Sequence, residues 1–413
     1  MLLGTQLRAG SLAHLSFVIC YLSCVVTHLV NYLFINYEYP PIGGGSATAC
    51  QQIARTFVKR GHRVVVLTAG IGSLHGTVTE DGVTVVRLRA LRKSPHQSEV
   101  IEMASYVLLA SWHAIRLAGS HQIDSALAFF SVPGGIVARW LNLWRRIPYV
   151  VSLRGGDVPG TEPHLKIFYR VLQPLRRDIL KHAQAICAPS LGLKALSEKA
   201  DPFPVQVVPN GINTDLFRPE PERRSKVPTL LSVGRLHAQK NVGYLLNLVA
   251  ALKSKIEVRA LIIGDGPERP ELEATAAALQ ITDCIQFSGW LPREEVRQAY
   301  QSATFLVHAS SYEGMSNVIL EALASGLPVV ASKIPGNTEL IHDSANGFLF
   351  DPAGDPAQLA DRISPLFQDQ TNWDRLSAAA RATIENQFSW AHATDLYEKL
   401  LTEQPRMDTN GRG

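Results

Sequence analysis

Between Glu313 and Glu321 the chain reads E-G-M-S-N-V-I-L-E, two carboxylates eight residues apart, the first in a loop and the second on the helix that the loop opens. At about 1.5 Å of rise per residue the pair can stand roughly 12 Å apart along one wall of a cleft, with helix N-terminal amides between them. Such amides hold anions. A ligand with hydroxyls at both ends and phosphate in the middle fits that spacing, and a nucleotide sugar is such a ligand. Alone, the stretch reads equally well as a surface helix carrying two glutamates. Its companions decide.

Gly234-Arg235-Leu236-His237-Ala238-Gln239-Lys240 follows an apolar run and sets two cations five residues apart at a strand's C-terminal end, where open α/β sheets bind ligands. Arg235 and Lys240 can neutralise charge developing on a departing diphosphate. Two similar units, Gly264-Asp265-Gly266-Pro267-Glu268 and Phe287-Ser288-Gly289-Trp290, follow further strands, so that four loops are expected to border one cleft. Near the other end of the chain, Gly43-Gly44-Gly45 opens a helix after the first strand and lets backbone approach a ligand. A G-x-G-x-x-G fingerprint would need a third glycine where Thr48 stands, and the second strand lacks the following ribose-binding acid, which disfavours a nicotinamide or flavin enzyme.

The elements that must position these residues are short apolar runs alternating with helical patterns, the signature of parallel sheets covered on both faces. One set of strands is expected at 32–36, 64–68, 83–87, 125–129, 149–153 and 185–188, and a second at 229–233, 259–263, 285–287, 304–308 and 328–331. The fold class is thus α/β, with two Rossmann-like doubly wound parallel-sheet domains facing a cleft. At 413 residues two domains are the default. The expected boundaries are an apolar leader at 1–29, a first domain at 30–205, a second domain at 206–385, a helix at 386–402 packing back on the first domain, and a flexible tail at 403–413.

Net charge is +4, but residues 30–205 carry 20 Lys and Arg against 11 Asp and Glu, whereas residues 206–413 carry 19 against 25. A basic first half suits an anionic surface or a phosphorylated acceptor, or is a solvated face; no nucleic-acid partner is expected. The five scattered cysteines form no C-x-x-C pair, which points to reduced thiols in a cytosol and away from zinc. Residues 12–30 contain no Asp, Glu, Lys or Arg. They read as the product of an upstream mis-called start, with translation beginning at Val30, or as a signal anchor. The expected location is the cytoplasm or the inner face of its membrane.

Taken in order, Val208-Pro209-Asn210-Gly211-Ile212, the G-R-x-x-x-x-K stretch, G-D-G-P-E, the F-x-G-W segment and the E-x7-E motif resemble the retaining glycosyltransferase family 4, of the GT-B fold. The resemblance runs from about Val30 to Leu401 and implies that 30–205 is the acceptor domain and 206–385 the donor domain. It implies that Glu313 binds donor-sugar hydroxyls and Glu321 the ribose, and that Arg235 and Lys240 hold the diphosphate together with amides near Gly314, Met315, Ser316 and Asn317. Gly234, Gly264, Gly266 and Gly289 would shape the loops around the donor, and Gly43, Gly44 and Gly45 would face acceptor and phosphate. The co-substrate implied is a UDP- or GDP-linked sugar, without a further cofactor or metal; no D-x-D occurs in the chain.

One departure stands out. Members often carry a His where this chain has Arg154, and an Arg is charged at all ordinary pH and cannot act as a base. Arg154 would then contact phosphate or sugar directly, or Asp157 would take part. The Glu313 and Glu321 spacing exceeds the 5 to 5.5 Å of a double-displacement pair, so a front-face transfer is expected, with a glycan or lipid-linked acceptor and a role in surface polysaccharide or glycolipid synthesis. Rival readings are a sugar-nucleotide-binding protein without turnover and a nucleotide-sugar epimerase. Finally, Trp140, Trp144, Arg145 and Arg146 end one helix, and Lys166, Arg170, Arg176, Arg177 and Lys181 mark another segment, interrupted by Pro174. These residues read either as a surface for anionic lipid or as tryptophans in a core with solvated arginines.

Overall fold

The structure, a computed structural model, describes residues 29–94, 99–161 and 166–402. The first sheet contains β1 (Asn31–Ile35), β2 (Arg63–Ala69), β3 (Gly76–Glu80), β4 (Val83–Leu88), β5 (Ser125–Phe129), β6 (Tyr149–Ser152), β7 (Ala185–Ala188) and β8 (Gln206–Val207). They lie in the order 3-4-2-1-5-6-7-8. The second sheet contains β9 (Thr229–Val233), β10 (Arg259–Ile263), β11 (Ile285–Gly289), β12 (Phe305–His308), β13 (Val329–Ser332) and β14 (Gly347–Phe350), in the order 11-10-9-12-13-14. In both sheets the chain reverses its direction of winding beside the first strand, and ligands bind at the C-terminal ends of strands around such a point.

Interior strands are apolar throughout because helices cover both faces; in β5 all five residues are buried. Helix Gly45–Lys59 sends Cys50, Ile53, Ala54 and Phe57 into one face of the first sheet at helical spacing. Helices Val100–Ser120, Gly135–Arg145 and Lys166–Lys181 form a layer on the other face, through Tyr106, Ala110, Val137, Leu141 and Ile179 among others. Pro174 does not interrupt the last of these helices. It lies on the exposed side, while Arg176 and Ile179 are buried and hold the helix to the sheet.

Three strands have no counterpart in the sequence expectation. β3 is antiparallel to β4, polar and almost wholly exposed. β8 has two residues, and β14 is the short segment G-F-L-F at a sheet edge.

Two crossovers join the lobes side by side. Ile212 N donates to Phe388 O at 2.9 Å, and Ile212 bridges Ser389 in parallel fashion. A Cβ on Gly211 would lie 2.4 Å from Trp390 N, so only glycine lets the two strands of the hinge touch. Helix Trp390–Thr402 then returns to the first domain. It buries Tyr397, Leu400 and Leu401 in the same core as Phe57 and Val66, each side chain contributing about 1.5 to 3 kcal/mol. Arg60 pairs with Asp395 and Glu398 at 2.6 Å on the rim of this contact.

Candidate functional site

A cleft of about 340 Å³ opens between the domains. From the second domain it is lined by Lys240, Glu313, Gly314, Met315, Ser316 and Asn317, and from the first by Glu38, Gly45, Ser46, Phe130 and Arg154. Glu313 leaves the loop after β12, and its Oε1 accepts from Lys240 Nζ at 2.5 Å. His308, the last residue of β12, places Nε2 at 3.2 Å from the same oxygen. Burial alone would raise the Glu313 carboxyl. The Lys240 ammonium and the His308 hydrogen bond outweigh it and hold the group well below the usual carboxylate range. Burial lowers His308 itself below its ordinary value, so the ring is neutral at pH 7.

Helix Asn317–Ala324 starts beside this pair, with Ser316 as its N-cap: Ser316 Oγ accepts from Ile319 N at 3.4 Å. Its first amides face a wall that also carries Lys240, which makes an electropositive seat for an anion. Glu321 sits farther along the helix, half-buried and outside the cleft lining. Its Oε2 accepts from Tyr300 Oη at 2.9 Å. Burial pushes its carboxyl up to about 7, against the opposing influence of Tyr300 and Arg293. The two glutamates of the motif are therefore unlike: one is a locked carboxylate, the other a group that gains or loses a proton near neutrality.

The remaining loops of the second domain are stitched to each other. Gly264 N donates to Gly289 O at 2.8 Å, Gly234 N to Ile263 O at 2.9 Å and Leu236 N to Asp265 O at 3.0 Å. Gly234, Gly264, Gly266, Gly289 and Arg235 thus form a bordering ridge and lie outside the cleft lining proper. Arg235 is half-buried and has no ion-pair partner among the described residues.

On the facing wall Arg154 is held from three sides. Nη1 donates to Asn210 Oδ1 at 2.8 Å, Nη2 donates to Tyr397 Oη at 2.9 Å, and the guanidinium lies 4.8 Å from the centre of the Phe129 ring. Asn210 in turn donates to Asn317 Oδ1 at 3.0 Å. A polar chain thereby runs from the first domain through the hinge to the helix of the second. Asp157 is placed differently from a group available to a ligand. Its two oxygens accept from the backbone amides of Arg154, Gly155 and Ser131 at 3.0, 3.2 and 2.6 Å, and it does not line the cleft. It shapes the loop that presents Arg154.

Gly43 has φ +97°, and a Cβ there would meet the Glu38 side chain at 2.6 Å. Gly45 approaches Asn317 across the cleft. Glu38, His308, Tyr300, Tyr397 and Phe130 were not singled out from sequence. Of these, His308 was accessible, since it ends an expected strand on the ligand-binding side; Tyr397, 243 residues from Arg154, carries no local signal.

Residues 44–211 match the family model described as glycosyl transferase 4-like domain, and residues 213–383 match glycosyl transferases group 1. A lipopolysaccharide core biosynthesis glycosyltransferase of Rhizobium meliloti is 33% identical over 178 residues, covering 43% of this chain and 51% of that one. Sucrose-phosphate synthase from Thermosynechococcus elongatus superposes with a TM-score of 0.78 at 19% identity, over 90% of this chain and 99% of that one. The Anabaena protein HepE, solved with UDP-glucose, gives 0.71 at 20% identity over 90% and 99%.

Proposed function

The chain belongs to the group 1 glycosyl transferases, with the GT-B fold, and from that premise we propose that it moves a hexosyl group from a UDP- or GDP-linked donor to a glycan or lipid-linked acceptor. Retention of configuration and a place in surface polysaccharide or glycolipid synthesis belong to the same proposal. The observation that carries it is the seat made by Lys240, Glu313 and the start of helix Asn317–Ala324 on one wall of a cleft. A donor diphosphate laid against the helix amides would meet Lys240, whose ammonium has donors to spare beyond the bond to Glu313. As the bond to the sugar lengthens, negative charge gathers on that phosphate, and fixed positive groups that need no reorganisation lower the barrier.

Glu313, ionised and bound by Lys240 and His308, is suited to accept hydroxyls of the sugar. A carboxylate so engaged is a poor nucleophile, which favours a front-face transfer in which the leaving phosphate takes the acceptor's proton. Arg154, from the facing domain, would lie against the sugar or the phosphate. The lipopolysaccharide relative and the HepE complex with UDP-glucose support the donor and pathway classes. Incubating the full chain with UDP-glucose, UDP-galactose, UDP-N-acetylglucosamine and GDP-mannose and following nucleotide release tests the reading. One donor should be turned over faster than the rest. Saturable binding without any turnover would favour a sugar-nucleotide-binding protein instead.

A further inference from the structure

Among the described residues the cleft lining contains a single aromatic side chain, Phe130, and its backbone is unusual. Its φ is +65°, in the left-handed region that bulky L-residues enter only under strain. A ring that merely covered the core would have no need of that conformation. The turn that imposes it is closely determined. Phe130 follows β5 directly and opens a π-helical turn, Phe130–Gly134. A Cβ on Gly134 would lie 2.3 Å from Phe129 O and 3.0 Å from Ile35 O, so glycine alone lets the turn close against the sheet. Ser131 N donates to Asp157 Oδ2 at 2.6 Å, and Arg154 N donates to Asp157 Oδ1 at 3.0 Å. One carboxylate thus braces both the turn that carries Phe130 and the loop that carries Arg154. The tryptophans of the domain are placed otherwise: Trp140 and Trp144 are 41% and 65% exposed and do not line the cleft, which corrects their reading as core residues.

The same wall carries Glu38. Its Oε2 accepts from Gly44 N at 3.4 Å, and its Oε1 stands 3.7 Å from Arg92 Nη2. The Arg92 side chain is fully buried. Its guanidinium lies 4.4 Å from the centre of the Tyr37 ring, while Nη1 donates to Tyr37 O at 3.3 Å and Nε to Ser94 O at 2.9 Å. A fixed cation therefore holds the half-buried carboxylate in place. A carboxylate has about four acceptor positions, so Glu38 keeps capacity for the hydroxyls of a ligand.

A ring, a carboxylate and polar neighbours such as Ser46 and Asn210 suit a sugar, which has an apolar C–H face and a rim of hydroxyls. A phosphate at this place would meet the Glu38 carboxylate, a like-charge contact. An acyl chain would find only Phe130 and Pro189 on this wall to cover it. We propose that Phe130 and Glu38 form the acceptor subsite and that the reacting end of the acceptor is a neutral hexopyranose ring, stacked on Phe130 and hydrogen-bonded to Glu38. The inference rests on the transferase reading of the cleft and narrows its acceptor, against a sugar phosphate and against a bare lipid hydroxyl. In the transfer, a hydroxyl oxygen of that ring bonds the anomeric carbon of the donor as the bond from that carbon to the diphosphate breaks. The diphosphate leaves with the electron pair and takes the hydroxyl proton, and Glu38 orients the ring without entering the exchange.

The test uses the full chain and the methyl α-glycosides of glucose, galactose, mannose and N-acetylglucosamine, read by saturation-transfer NMR, which reports ring protons in contact with protein. At least one should bind. Phe130→Asn, a residue that accepts the left-handed backbone, should weaken that binding at least tenfold while the thermal midpoint holds, and Phe130→Tyr should retain it. Glu38→Gln should weaken it about fivefold, which keeps the test open should Phe130→Asn fold poorly. Calorimetric titration of the same proteins with UDP-glucose, UDP-galactose, UDP-N-acetylglucosamine and GDP-mannose should give an unchanged donor affinity. A wild type that binds a nucleotide sugar and none of the glycosides overturns the inference, as does a Phe130→Asn chain that binds the glycoside as the wild type does. Nucleotide release driven by glucose 6-phosphate or diacylglycerol and by none of the glycosides overturns it too. Phe130-dependent glycoside binding by a chain that binds no nucleotide sugar upholds the subsite and contradicts the transferase reading alone.

Discussion

Lys240 and Glu313 meet at 2.5 Å in a cleft between two domains, and the carboxylate they share with His308 is held ionised against the cost of its burial. The pair is the electrostatic centre of the site, and it makes the site's stability conditional. Replacing Lys240 with Ala leaves a buried carboxylate without its main counter-charge, at a cost of about 3 kcal/mol. The sign of its pH dependence follows. In the wild type Glu313 contributes stability that is present above the ordinary carboxylate pKa and lost as pH falls toward its depressed value. In the variant that carboxyl should rise instead, so that this contribution falls as pH increases. Urea unfolding of both proteins at several pH values reads the difference, and parallel curves would contradict it.

Glu321 should behave oppositely. Its pKa, pushed up to about 7 from 4.5 by burial, means that its contribution to stability is fully present below about pH 4.5 and is lost as pH rises through 7. The change amounts to about 3 kcal/mol. Glu321→Gln should flatten that part of the pH dependence. If the ribose hydroxyls of a donor bond the ionised form, donor binding near pH 6 must also release a proton. Calorimetric titrations in buffers of different ionisation enthalpy should register this release in the wild type and not in Glu321→Gln.

Three contacts anchor Arg154, to Asn210, Tyr397 and Phe129. Arg154→His is too short to keep both hydrogen bonds, so an imidazole at this position should not take over the guanidinium's part. We expect a fall in kcat of about 100-fold, comparable to loss of a preorganised electrostatic contact. Tyr397→Phe should cost less, about tenfold, through a less well-held guanidinium. A fully active Arg154→His enzyme would show that the Arg is dispensable to the reaction.

The lobes are also joined away from the cleft. Glu339 of the second domain accepts from Leu191 N and Gly192 N at 2.8 and 2.9 Å, where helix Leu191–Ala200 of the first domain begins. A carboxylate at a helix N-terminus is worth about 1 kcal/mol. Glu339→Ala should therefore loosen closure, seen as a larger radius of gyration in small-angle scattering without donor, with the melting of each domain nearly unchanged.

The sequence disclosed most of what depends on local pattern. The interior strands were recognisable because burial on both faces leaves them apolar, and Lys240, Glu313 and Asn317 because they follow such strands directly. β3 was not, since an exposed edge strand needs no apolar residues. Nor was the separation of roles between Glu313 and Glu321, which depends on Lys240, His308 and Tyr300 reaching them from other elements. That the glycine loops G-D-G-P-E and F-x-G-W hydrogen-bond to each other was not legible either, because the two segments lie far apart in sequence. Asp157, the alternative to a direct contact by Arg154, accepts from the backbone amides of Ser131 and Arg154, a role that depends on a loop geometry the sequence does not display.

The account rests on a nucleotide-sugar site at the second-domain wall of the cleft, and calorimetric titration of the full chain with UDP-glucose, UDP-galactose, UDP-N-acetylglucosamine and GDP-mannose tests it most directly, with Glu321→Ala in parallel. The expected result is saturable binding of one donor, weakened about tenfold or more in the variant, in which the proposed contact of Glu321 with the ribose is lost. A folded wild-type chain that binds none of the four, or a variant that binds as the wild type does, would contradict it.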